Sequence, residues 1–100
     1  MNLIINIYYK GQNGSAKEFV KEMISSGLAE RIRKEEGNLG YNYYLPVEDN
    51  ETVLLIDKWK EQKYLDLHHK SEMMEEIAKL RIKYKLSMKV EKYRELDDNK

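Results

Sequence analysis

Apolar positions recur along this chain with two spacings, two residues in some segments and three to four in others, and their succession predicts the elements. In residues 2–10, Leu3, Ile5, Ile7 and Tyr9 share one side while Ile4, Asn6 and Tyr8 share the other, so a strand apolar on both faces is expected. The Gly- and Asn-rich residues 11–15 end it. Ser15 followed by Glu18 reads as a capping box that opens a helix, and Phe19, Val20, Met23, Ile24, Leu28 and Ile32 give that helix one apolar stripe. Ser25, Ser26 and Gly27 are weak helix formers and predict a bend or brief break, and Gly37 is expected to stop the segment. Leu39, Tyr41, Tyr43 and Leu45 alternate through a second strand over residues 38–47. The polar turn 48–51 then leads into a third strand over residues 52–59. There Val53, Leu54, Leu55 and Ile56 are apolar without alternation, as in a strand covered on both faces. A short helix over residues 60–69 follows, and Ser71 is placed to cap a further helix whose stripe is Met73, Ile77, Leu80 and Tyr84. Leu86, Met88 and Val90 alternate with polar residues in a last strand.

The order β-α-β-β-α-α-β predicts an α+β fold, a ferredoxin-like split βαβ sheet with the first and third strands in the middle and helices on one face. Those two strands are also the ones apolar on both sides, so the helix-free face needs a cover. In a 100-residue chain the simplest cover is a second copy packed sheet to sheet, and a homodimer is expected. The expected domain is residues 1–94, with residues 95–100 a polar tail.

Charge narrows the partners. Eighteen Lys and Arg balance eighteen Asp and Glu, which gives no net attraction for nucleic acid or an anionic membrane surface. The N-terminal apolar run alternates and lacks a basic leader, so a cytoplasmic protein without a membrane segment is expected. With no Cys, thiolate chemistry and disulfides are excluded, and His68 and His69 are the only imidazoles. Two neighbouring His cannot comfortably chelate one ion, so no metal site is expected.

The helix-to-strand passage Glu36-Gly37-Asn38-Leu39-Gly40-Tyr41, Asp49 in the hairpin turn, Ile56-Asp57-Lys58-Trp59 and Leu67-His68-His69-Lys70-Ser71 together resemble the antibiotic biosynthesis monooxygenase (ABM) domain over nearly the whole chain. Within that family the chain is most similar to the small, stand-alone quinol monooxygenases of bacteria. The resemblance implies a dimeric α+β barrel that oxidises a small aromatic quinol or phenol with O2, without flavin, metal or other cofactor. It differs from the heme-degrading branch, which has a Trp near His68 and an axial His near Ala78, and without that imidazole iron lacks its proximal ligand. It also differs from the polyketide quinone-forming members, which share Trp59 but have an Asn where Leu55 stands.

Such chemistry needs an apolar pocket with a base for the substrate hydroxyl. His68 is the expected base, since neutral imidazole suits that role at pH 7, while His69 is expected on the surface. Asn6 is read either as a group that orients a ligand oxygen or as a structural amide, and Trp59 and Tyr64 as flat walls for an aromatic ring or as core. Tyr8, Tyr9, Tyr41, Tyr43 and Tyr44 are expected mainly to pave the dimer interface. A non-catalytic ligand-binding module and a cofactor-free isomerase are the alternatives on the same fold.

Overall fold

The computed structural model describes residues 2–96. Its elements are β1 (Leu3–Lys10), α1 (Ser15–Ser25), α2 (Leu28–Arg33), β2 (Asn38–Tyr44), β3 (Thr52–Trp59), α3 (Gln62–His69), α4 (Met73–Lys83) and β4 (Ser87–Arg94). The strands form one antiparallel sheet in the order β2-β3-β1-β4, so β1 and β3 are central as their two-sided apolar pattern requires. This is the expected ferredoxin-like α+β fold, with the first helix divided at Ser26 and Gly27.

Strand register sorts the side chains. Leu3, Ile5, Ile7 and Tyr9 stand opposite Trp59, Asp57, Leu55 and Val53, and this set faces the helices. There it packs with Ala16, Phe19, Met23, Leu28, Ile32 and Leu65 into one core. Ile4, Asn6 and Tyr8 stand opposite Lys58, Ile56 and Leu54 on the other face, which carries no helix and is only half-buried.

Several local expectations are corrected. The tyrosines divide between the two faces: Tyr9 and Tyr41 are buried under the helices, with Tyr43 beside them, whereas Tyr8 and Tyr44 look outward. Strand alternation forces this split, because Tyr41 and Tyr43 pair with Asp57 and Leu55 while Tyr44 pairs with Leu54. Leu39 is half-exposed and out of the alternation, because a register shift between Asn38 and Gly40 bulges the strand there. The second strand ends at Tyr44, before Pro46, whose missing N–H suits it to a strand end.

Ser15 forms no capping box. Its Oγ accepts from the Gln12 N–H at 3.0 Å, and the free amides before α1 are served instead by Glu51, whose two carboxylate oxygens accept from Asn13 N at 2.7 Å and Gly14 N at 2.8 Å. Ser71 likewise does not cap α4, which follows Glu72, and its Oγ is buried without a partner among the described residues. Strand β4 runs to Arg94, further than its apolar residues indicated, because its main chain pairs with the full length of β1. Beyond it, the Glu95 carboxylate accepts from Asn2 Nδ2 and Lys58 Nζ. Residues 97–100 of the expected tail lie outside the described residues. No helix among the described residues is long and apolar enough to cross a membrane.

Candidate functional site

Helix α3 follows β3 after a two-residue link and lies over the sheet with its Leu65 and His68 turned inward. The two residues are three apart and share a stripe, which carries the imidazole into the core. His68 is 4% exposed, and its ring lies against that of Trp59, 5.0 Å between centroids at 31°. Its Nδ1 is 2.7 Å from Glu35 Oε1 in the segment between α2 and β2. A carboxylate at that distance assigns the ring proton to Nδ1 and leaves Nε2 as the acceptor when the ring is neutral.

Trp59 is fully buried and Asp57, on the same face of β3, is 4% exposed. Asn38 Nδ2 donates to Asp57 Oδ1 at 3.3 Å. Burial pushes the Asp57 carboxyl up from 3.8 to about 6, against the opposing pull of the Trp59 indole, His68 and Asn38, with Glu35 adding to the rise. The indole Nε1 acts on this carboxylate from outside hydrogen-bond geometry and has no partner of its own among the described residues. Glu35, His68, Asp57, Asn38 and Trp59 thus form a polar seam inside an apolar core. Neighbouring tyrosines respond to the same burial. Tyr43 Oη donates to Tyr41 Oη at 3.2 Å, and burial raises both phenols, while that of Tyr9 is pushed up to about 12. None of these three is a phenolate near neutrality.

The adjacent imidazole has a different environment. Consecutive helical residues point about 100° apart, so with His68 turned into the core, His69 turns toward β4. There it lines a cavity of about 370 Å³ between the β1–β4 half of the sheet and helices α3 and α4. Ile5, Ile7, Leu65, Ile77, Met88 and Val90 supply apolar wall, and Gln62, His69, Arg81 and Lys92 supply polar groups. A concave, mainly apolar space with a few convergent polar groups is the usual form of a small-molecule site, and this volume lies within the ordinary range of roughly 300–1,000 Å³. Burial, then the charge of His68, holds the His69 pKa below 6.5, with Asp66 opposing and Lys92 reinforcing. His69 is therefore mostly neutral at pH 7. A larger cleft of about 630 Å³ is lined by Arg31, Glu72, Glu75, Glu76 and Lys79 and lacks an apolar wall.

The structure therefore separates the residues singled out in the sequence. His68 and Trp59 come together, but in the core seam, and neither lines the cavity. Asn6 stands on the opposite face of the sheet, where its Oδ1 is buried without a partner among the described residues. Tyr64 is half-buried with its ring packed on Gly37, whose φ of +84° and missing Cβ leave that room. It too is off the cavity wall. His68, the expected base, is buried in the core seam and off the cavity wall, whereas His69 is exposed, as expected of a surface residue, and stands at the rim of the cavity. Arg81 was also missed, although it lies four residues after Ile77 and so extends the α4 stripe with a cation.

Comparison with known proteins bears on both the fold and the site. The model of the family described as Antibiotic biosynthesis monooxygenase matches residues 2–80, from β1 into α4. The chain is 26% identical over 69 residues, 69% of its length and 70% of the relative's, to the Bacillus subtilis (strain 168) protein named "Putative monooxygenase YcnE". Among solved structures it is similar to a Deinococcus radiodurans protein named "putative antibiotic biosynthesis monooxygenase", with TM-score 0.84 at 13% identity over 98% of this chain and 96% of that one. A conserved protein of Methanosarcina mazei Go1 has TM-score 0.82 at 24% identity, over 96% and 94% of the two chains. At these identities the structural likeness speaks for the fold.

Proposed function

We propose, from the premise that this chain belongs to the antibiotic biosynthesis monooxygenase family, that it oxidises a small aromatic quinol or phenol with O2 and needs no cofactor. The observation that carries this reading is the apolar cavity under α3 and α4 with one imidazole, His69, on its wall. Its overall chemistry balances without an external reductant: a phenol and O2 give a para-quinone and water. One oxygen atom becomes the new carbonyl oxygen and the other leaves in water, with all four electrons drawn from the substrate.

His69 is the base in this scheme. In its neutral form it takes the hydroxyl proton, and the resulting phenolate is electron-rich enough to donate to O2. The apolar wall of Ile5, Ile7, Leu65 and Ile77 gives the ring a surface to lie against. His68 is assigned a positioning role, because its contact with Glu35 and Trp59 fixes the phase of the helix that carries His69. The helix-free sheet face, with Ile4, Tyr8, Leu54 and Ile56, supports a homodimer packed sheet to sheet.

Oxygen uptake with a panel of neutral and acidic quinols and phenols tests the reading. His69→Ala is expected to lower the rate at least about 100-fold, and the wild-type rate is expected to fall as pH drops through the depressed His69 pKa and the base becomes protonated. An unchanged rate in His69→Ala removes the base assignment. Saturable binding of these compounds with no oxygen uptake removes the oxygenase reading in favour of a binding module.

A further inference from the structure

The proposed reaction uses the apolar wall and His69 but gives no task to the remaining charged groups of the cavity. Among the described residues, none that lines this cavity bears a carboxylate. Its permanently charged groups among the described residues are the two cations Arg81, from α4, and Lys92, from β4. Lys92 Nζ donates to Gln62 Oε1 at 2.6 Å, a link from the sheet edge to α3 that leaves its charge uncompensated by that partner. Arg81 is half-buried and makes no ion pair or side-chain hydrogen bond among the described residues. Elsewhere among the described residues, Arg31 pairs with Glu76, Arg33 with Glu30, Lys58 with Glu95 and Lys83 with Glu22.

A guanidinium drawn away from water beside an apolar wall gains from an anion, and its planar fork suits a carboxylate. Resting on the reading of this cavity as the substrate site, we propose that its preferred ligand is an aromatic acid, with the ring against Ile5, Ile7, Leu65 and Ile77 and the carboxylate held by Arg81 with Lys92. His69 is then left for the ring hydroxyl, since in its neutral form it does not compete for the anion. The chain as a whole has no net charge, so the preference comes from this local pair of cations rather than from a general field.

Calorimetric titration under anaerobic conditions, where no turnover occurs, tests the proposal with 2,5-dihydroxybenzoate against 2,5-dihydroxybenzamide, which differ in the charge of one substituent. The acid is expected to bind about ten-fold more tightly, the scale of one charge-assisted hydrogen-bonded pair. Arg81→Gln is expected to remove most of that preference while leaving the amide within about two-fold of its wild-type affinity, and Arg81→Lys to keep part of it. Equal affinities, tighter binding of the amide, no binding of either probe, or a preference that survives Arg81→Gln overturns the proposal. The wild-type comparison stands even if a variant does not fold. Acid preference without oxygen uptake supports this inference while removing the oxygenase reading, and oxygen uptake with neutral quinols but no acid preference does the reverse.

Discussion

Replacing Asp57 by Asn tests the polar seam directly, because the group is buried and its ionisation is displaced far from the ordinary value. Its carboxyl is 4% exposed and titrates near 6 instead of 3.8, chiefly through burial. A shift of about two units corresponds to about 3 kcal/mol between its protonation states, at about 1.36 kcal/mol per unit. The sign follows from proton binding. Between pH 3.8 and 6 the native protein holds a proton that the unfolded chain has released, so unfolding stability falls as pH rises across that window. The contribution is complete only well below 3.8 and fades out above about 6.

Asp57→Asn removes this dependence while keeping the shape and the neighbour Asn38. Urea unfolding of both proteins at pH 4, 5, 6 and 7, at one protomer concentration, gives the stability at each pH. The drop from pH 4 to pH 7 is expected to be larger in the wild type than in Asp57→Asn by about 2.4 kcal/mol, since at pH 4 the unfolded carboxyl is still partly protonated. Glu35 and His68, whose charges act on Asp57, are present in both proteins. Any pH-independent cost of replacing the carboxylate is the same at every pH and subtracts. Parallel profiles, or a steeper fall in Asp57→Asn, would refute the reasoning.

Two further outcomes follow from other parts of the fold. Glu51→Ala removes the acceptor for the amides of Asn13 and Gly14 ahead of α1 and is expected to cost about 1 kcal/mol in the same unfolding assay, as loss of a helix cap does; stability equal to wild type would show that water replaces the carboxylate freely. Ile56→Lys places a charge in the middle of the helix-free sheet face and is expected to shift sedimentation at micromolar concentration from dimer to monomer; a wild-type monomer, or a dimer unaffected by the change, refutes the sheet-to-sheet assembly.

The fold was legible where periodicity and topology agree. The two-sided apolar patterns around Ile4 and Leu54 identify the central strands, and the weak helix formers at Ser25 to Gly27 mark the break between α1 and α2. Local capping was not, because Glu51 reaches Gly14 at the start of α1 across 37 residues of chain, and no short motif encodes such a partner. The tyrosines were legible in kind but not in direction. Alternation fixes which residues share a face, but only the register against β3 fixes which face the helices cover. The candidate site was half-legible for a related reason. The imidazoles stood out at once, yet whether His68 or His69 reaches the cavity depends on the rotation of one eight-residue helix, which its composition does not set. Leu65 carried the needed signal, since the residue three positions after a buried leucine turns the same way.

Strand, link and helix between Trp59 and His69 leave that rotation no slack, and this bears on how the chain can change length. Adding or deleting one residue in the two-residue link before α3 would turn both imidazoles by about 100°, taking His68 off Trp59 and His69 off the cavity together. The loop 45–51 is different: Leu45 and Val47 already stand in solvent, and only Asp49 and Glu51 at its far end hold neighbours by side-chain hydrogen bonds. Insertions there should be borne at little cost. The spacing of a tryptophan and a histidine pair, rather than the identity of either alone, is therefore the part of this chain on which the proposed chemistry depends.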